Sequence, residues 1–167
     1  MTEDDVTKLA RKLGRACKKR DVDVVAAESC TGGGVATACT RISGSAKWFE
    51  RGMVTYTNIA KKEMLGVSQR TLKNHGAVSE EVAREMAAGA LKRSHADVSV
   101  AVTGIAGPTG GVPGKPVGTV HFAWGVRGGA IQARRFRFKG DRTEVRLQSV
   151  AVALQGLIDL LRKPRRP

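Results

Sequence analysis

Val22-Asp23-Val24-Val25-Ala26-Ala27-Glu28-Ser29-Cys30-Thr31-Gly32-Gly33 is an apolar, partly β-branched run that stops at a glycine-rich turn. The pattern predicts a buried strand over 22–27 and a tight turn into a helix that begins near Thr31. Such a turn lifts the hydroxyl of Ser29 out at the end of a sheet. It also offers the backbone N–H groups of Thr31, Gly32 and Gly33 at a helix N-terminus, a favourable place for an oxyanion or phosphate. Taken alone, Ser29 reads equally as a turn or capping serine.

Working outward, residues 2–20 read as a helix capped by Thr2, with Val6, Leu9, Ala10, Leu13 and Ala16-Cys17 on one face. The helix after Ser29 is expected to run to about Arg41, where Ser43-Gly44-Ser45 breaks the chain. A strand follows over 49–57, then a short helix over 59–65 ending at Gly66, and a helical piece over 69–74. Ser79 caps a longer helix whose first turn carries Glu80 and Glu81, matching the helix dipole. Val98–Val102 is a short apolar strand that opens into the loop Thr103-Gly104-Ile105-Ala106-Gly107-Pro108-Thr109-Gly110-Gly111. Arg127-Gly128-Gly129 joins two further strands, 118–126 and 130–139, as a hairpin. Asp141-Arg142-Thr143-Glu144 is a capping box opening a last helix to about Leu161. No internal repeat or domain linker interrupts this order. The expectation is a single α/β domain over 1–167, a three-layer α/β/α sandwich on a mixed sheet, with a disordered basic tail from about residue 162.

The chain has 167 residues and a mass of 17.8 kDa, enough for one domain with its own core. Aromatics are only 4 % of residues, so that core rests on Val, Ala, Leu and Ile. No apolar stretch approaches the roughly 18–20 residues of a membrane span, and Met-Thr-Glu-Asp-Asp does not resemble a signal peptide. Cys17, Cys30 and Cys39 are odd in number and lack C-x-x-C spacing, which argues against a disulfide framework or zinc site and suits a reducing cytoplasm. The net charge is +14. Eleven bases against three acids fall between Arg127 and the C-terminus, so the last quarter is strongly basic. An anionic partner is one reading (a phosphorylated metabolite, nucleic acid or acidic protein) and a solvated basic surface is the other.

Ser29 needs a base to become a nucleophile. His75, His95 and His121 lie in no triad context, and the surroundings of Ser29 are not G-x-S-x-G. A lysine held neutral by desolvation can do the same work. Lys61 opens a helix directly after a strand, whereas Lys62 points about 100° away on that helix and is expected in solvent. Tyr56, the only tyrosine, lies five residues before Lys61 and can donate a proton or orient the lysine; a core-edge tyrosine is the alternative. Cys30 is a rival nucleophile or a small packing residue. Gly104 and Gly107, after the strand end at Thr103, suit close approach to an anion. Gly114-Lys115 lacks the P-loop pattern, since Pro116 follows. Arg142 can reach a phosphate in bidentate fashion or simply sit on a capped helix.

Seven ordered blocks now stand together: Ala27 to Gly33, Thr55-Tyr56-Thr57-Asn58 through Ala60-Lys61, Leu65-Gly66-Val67, His75 to Ser79, Thr103 to Pro108, Lys115 to Val120, and Gly140-Asp141-Arg142. Over about residues 5–160 the chain resembles the C-terminal domain of the competence/damage-inducible protein CinA. This family includes stand-alone bacterial nicotinamide-nucleotide amidases. The resemblance implies hydrolysis of nicotinamide mononucleotide to nicotinic acid mononucleotide and ammonia, without metal or other cofactor. It implies Ser29 as nucleophile, Lys61 as base, and Tyr56, Thr103 and Arg142 as supporting residues, in a homodimer or higher homo-oligomer. The pyrophosphatase activity associated with the N-terminal domain of longer members is not implied. The strong basicity is no part of the family pattern. A catalytically idle domain that binds nucleic acid or an acidic protein through its basic C-terminal third is therefore the competing expectation, and weak nucleic-acid binding is compatible with both.

Overall fold

A computed structural model describes residues 1–164. Five strands form one sheet in the order β2-β1-β3-β4-β5, where β1 is Val24–Glu28, β2 Phe49–Val54, β3 Val98–Gly104, β4 Thr119–Val126 and β5 Ile131–Arg137. β2, β1 and β3 are parallel, and β4 and β5 return antiparallel, which makes the expected mixed sheet. Side chains alternate across a strand, so β1 feeds two cores. Val24 and Ala26 pack with α1 (Glu3–Arg20), α2 (Gly34–Thr40) and α6 (Arg142–Arg162) on one face. Val25 and Ala27 pack with α3 (Asn58–Leu65), α4 (Gln69–His75) and α5 (Glu80–Lys92) on the other. The three layers are those expected.

The caps read from the sequence hold the helices in register with the sheet. Thr2 and Asp141 each form a full capping box, and the Ser79 hydroxyl accepts from Val82 N. Each such cap contributes about 1 kcal/mol. Several boundaries move. α2 starts at Gly34 rather than Thr31, because Gly32 and Gly33 hold φ of +56° and +96°, values no right-handed helix contains. β1 extends to Glu28, so the strand delivers an acid as well as a serine to the carboxyl end of the sheet. β2 stops at Val54, leaving Thr55, Tyr56 and Thr57 as the link to α3. Arg162 is the last residue of α6 and Lys163 its C-cap, so the basic segment placed after Leu161 begins inside the helix. Residues 165–167 of that expected tail lie outside the described residues.

The order β2-β1-β3 has a functional consequence. From β1 the chain turns through α2 to β2 on one side, and from β3 it continues to β4 on the other. The carboxyl ends of β1 and β3 thus flank a topological switch point, where open α/β sheets form crevices. Ser29 follows β1 there, and Thr103 and Gly104 end β3.

Candidate active site

At this switch point, parallel pairing sets Glu28 of β1 beside Val54 of β2. The backbone of Thr55 then turns back, its N–H donating to Glu28 O at 2.8 Å. α3 starts immediately, capped by Thr57, whose hydroxyl accepts from Ala60 N. This short path swings Lys61 inward under the end of β1. Lys61 is 1 % exposed, and its Nζ lies 2.8 Å from Ser29 Oγ and 2.7 Å from Thr55 O. Burial pushes its pKa down to about 8. Charging an amine in this dry pocket is costly, so the neutral form is accessible near neutral pH. Lys62 is exposed, as expected from its helical angle.

Ser29 is itself held by the sheet: its N–H donates to Val102 O at 2.9 Å. The turn beyond it is clamped from both sides. Inside, the fully buried Glu28 carboxylate accepts from Thr31 Oγ1 (2.7 Å), Val35 N (2.8 Å) and Ala36 N (3.0 Å), anchoring the start of α2. Outside, Arg146 of α6 donates from Nη2 to Thr31 O at 3.2 Å. Neither clamp was foreseen. An acid at a strand end three residues before a threonine is a faint signal for the first, and the second joins residues 115 positions apart.

Ser29, Cys30, Tyr56, Asn58, Lys61, Ala77, Val78, Thr103, Gly104, Ile105, Ala106, Thr109, Gly110 and Arg142 line one cavity of about 260 Å³. It therefore joins Ser29, Lys61, Tyr56, Thr103, Gly104 and Arg142 among the residues singled out from the sequence. Arg142, in the first turn of α6, donates from Nη1 to Gly107 O and from Nη2 to Tyr56 Oη, each at 2.8 Å. It ties the glycine loop to the β2–α3 link across the mouth, and Gly107 contributes through its carbonyl. Tyr56 is 57 % exposed and its hydroxyl meets Arg142, not Lys61. The Thr103 hydroxyl donates to Ala77 O at 2.9 Å, fixing the cavity wall. Asn58, Ala77, Val78, Thr109 and Gly110 had been assigned no role.

Thr31, Gly32 and Gly33 stand differently from expectation. They line a separate cavity of about 250 Å³ with Arg146 and α1, which Lys61 and Ser29 do not border. The Gly32 N–H is also occupied, donating to Ser29 O at 2.9 Å, and the Gly34 N–H donates to Thr31 O at 2.9 Å. Among the described residues, the N–H groups of Cys30, Thr31 and Gly33 donate to no other residue. Cys30 is the one of these three that borders the Ser29 cavity. Its thiol is buried, which pushes the pKa up to about 12, so it packs as a small neutral group rather than a thiolate. No group of three His, Cys, Asp or Glu side chains among the described residues has metal-binding geometry.

A family model for the CinA C-terminal domain matches residues 6–161. Nicotinamide-nucleotide amidohydrolase PncC of Escherichia coli (strain K12) is 54 % identical over 157 residues, which are 94 % of this chain and 95 % of that protein. The protein of the same name from Pseudomonas putida is 50 % identical over 157 residues, 94 % of this chain and 98 % of the other. The crystal structure of competence/damage inducible protein CihA from Agrobacterium tumefaciens superposes with a TM-score of 0.91 at 50 % identity, covering 93 % of this chain and 95 % of that one.

Proposed function

The chain belongs to the CinA C-terminal domain family, and on that premise we propose that it is an amidohydrolase converting nicotinamide mononucleotide to nicotinic acid mononucleotide and ammonia. The observation that carries this reading is the buried contact of 2.8 Å between Lys61 Nζ and Ser29 Oγ at the floor of the cavity. A structural lysine gains nothing from such a position, because burial weakens its charged form. A catalytic base gains the free lone pair it needs.

The reaction follows from the contacts. When Lys61 is neutral, it keeps donating to Thr55 O and turns its lone pair toward the Ser29 hydroxyl. Oγ attacks the carboxamide carbon as its proton passes to Nζ. The carbonyl oxygen becomes an oxyanion, for which the Cys30 N–H, next to Ser29 on the cavity wall, is a backbone donor that holds no other residue. One such donor contributes about 2.7–4 kcal/mol. Lys61 then returns the proton to the leaving nitrogen, ammonia departs and an ester to Ser29 remains. Water, deprotonated by the again neutral Lys61, cleaves the ester and restores Ser29.

At the other end of the cavity, Arg142 forms no ion pair with any acid among the described residues, so its charge is available to the substrate phosphate. Arg142→Ala should raise KM for nicotinamide mononucleotide by about tenfold or more, the loss of a charge-assisted hydrogen bond. It should hardly alter turnover of the unphosphorylated riboside. Equal losses on both substrates in steady-state kinetics would place the phosphate elsewhere.

Cys17, Cys30 and Cys39 are all free and buried, which suits a reducing compartment such as the cytoplasm. Among the described residues no helix is long and apolar enough to cross a membrane. Val54 on the edge strand, Tyr56 in the link after it and Ile59 at the start of α3 are exposed, which suits burial against a second copy in a homo-oligomer. The direct test is ammonia release from nicotinamide mononucleotide by the purified chain, with and without EDTA. Turnover unaffected by the chelator is expected. No ammonia from a folded sample overturns the activity, and loss on chelation with recovery on one added metal overturns the metal-free mechanism.

A further inference from the structure

The net charge of +14 has no explanation in the amidase site, and the structure relocates it. Four arginines of the C-terminal third are bound to the protein's own carbonyls. Arg127 donates to the carbonyls of Leu91, Ser94 and Ala96, Arg135 to that of Gly114, and Arg142 and Arg146 to those of Gly107 and Thr31. These guanidiniums brace loops. Arg134, Arg137 and Lys139 are exposed and have no ion pair or hydrogen bond of their side chains among the described residues, but the longest row of such cations lies on α1.

Lys8, Arg11, Lys12, Arg15, Lys18 and Lys19 are all exposed. At 100° per residue they fall within an arc of about 120°, along a line of roughly 16 Å. They lie opposite Val6, Ala10, Leu13 and Cys17, which are buried in the core. Lys8 pairs with Asp4 at 2.7 Å. The other five have no ion pair or hydrogen bond among the described residues. Cations at the helix C-terminus complement the dipole, which accounts for Lys18 and Lys19. It does not account for Arg11, Lys12 and Arg15 in mid-helix. Lys8–Lys12, Arg11–Arg15 and Arg15–Lys19 are like charges at i,i+4, each destabilising the free helix. A helix selected for stability alone would place acids at some of these positions. At its C-terminal end the row meets the end of α6, where Arg20 donates to the Lys163 carbonyl; there Arg162 pairs with Asp159 and Lys163 donates to Gln132 Oε1.

We infer that the outward face of α1 is a sequence-independent docking surface for duplex DNA, separate from the amidase site. The shape fits: an exposed helix face lies along a major groove about 12 Å wide, with long cationic side chains reaching the phosphates of both edges. From Lys8 to Lys19 the exposed row is cationic throughout and holds no Asn, Gln or acidic side chain to read adenine or cytosine, so phosphate contacts dominate and sequence preference is weak. Duplex RNA fits less well, since its major groove is deep and narrow. An anionic membrane fits less well too, because the apolar face that an interfacial helix would insert is committed to the core.

The test is fluorescence anisotropy of the full chain with an end-labelled duplex DNA of about 20 base pairs between about 50 and 200 mM salt. If the five unpaired cations each meet a phosphate, the slope of log K against log salt is about −4.5. Replacing Arg11, Lys12, Arg15 and Lys19 together with Gln should flatten that slope by roughly 0.9 per lost contact and weaken binding by about tenfold or more at the lowest salt. Relief of the like-charge pairs keeps this variant folded, with a Tm no lower than wild type, and its ammonia release is unchanged. Arg11→Lys with Arg15→Lys should bind as wild type does. Undetectable binding at low salt, or an unaltered slope in the Gln variant, would overturn the proposal. So would duplex RNA of the same sequence bound as tightly, or vesicles of three parts phosphatidylcholine to one part phosphatidylserine bound in preference to DNA.

Discussion

Ser29→Ala should lower ammonia release from nicotinamide mononucleotide by about 10⁴-fold to 10⁶-fold, the scale seen when a serine nucleophile is removed and binding is left intact. The substitution deletes one oxygen. The backbone bond from Ser29 N to Val102 O stays, as do the bonds that anchor Glu28 to α2, so the turn keeps its shape. Lys61 loses one contact and retains Thr55 O. Substrate affinity, read by calorimetry on the inactive variant, should therefore persist. Cys30→Ala is the matched control. Its thiol is held neutral by a pKa of about 12, and its removal should leave most of kcat. An active Ser29→Ala protein beside a dead Cys30→Ala protein would transfer the nucleophile to the thiol.

The contact behind that prediction shows what could be read from the sequence. Local rules carried the helices: Thr2, Ser79 and Asp141 are capping residues whose partners lie within three positions, and all three cap as expected. They also carried the exposure of Lys62 and, to within one residue, the end of the first strand. Local rules do not supply the contacts that depend on which strand lies beside which. Ser29 and Lys61 are 32 positions apart and meet because β1 and β2 pair in parallel with Glu28 opposite Val54. Arg142 and Tyr56 are 86 apart and meet because α6 starts beside the β2–α3 link. The cavity that the turn lines was also illegible: Gly32 and Gly33, at positive φ, border a second cavity with Arg146 rather than the one with Ser29. Counting charges misled for the same reason. Arg127, Arg135 and Arg146 look like free surface cations until the carbonyls they hold are known.

Lys61 gives the second large effect. The base must be neutral, so kcat/KM should rise with pH and level off above an apparent pKa near 8, far below the ordinary lysine value of about 10.4. Lys61→Arg should lose about 10³-fold or more, because a guanidinium in that pocket cannot release a proton. Stability supplies an independent reading of the same group. The folded pKa lies below the unfolded one, so burying the charged lysine destabilises the fold at every pH below about 8. Between about 8 and 10.4 the unfolded chain binds more protons than the folded one, and stability rises with pH; above that window the penalty is gone. At about 1.36 kcal/mol per pKa unit the full excursion is at most about 3 kcal/mol. Lys61→Met removes the titrating group, so the stability of wild type relative to Lys61→Met should climb across this window in urea unfolding followed against pH. A flat difference, or a kcat/KM profile that keeps rising past pH 10, would mean that Lys61 is not desolvated in solution and that Ser29 has another base.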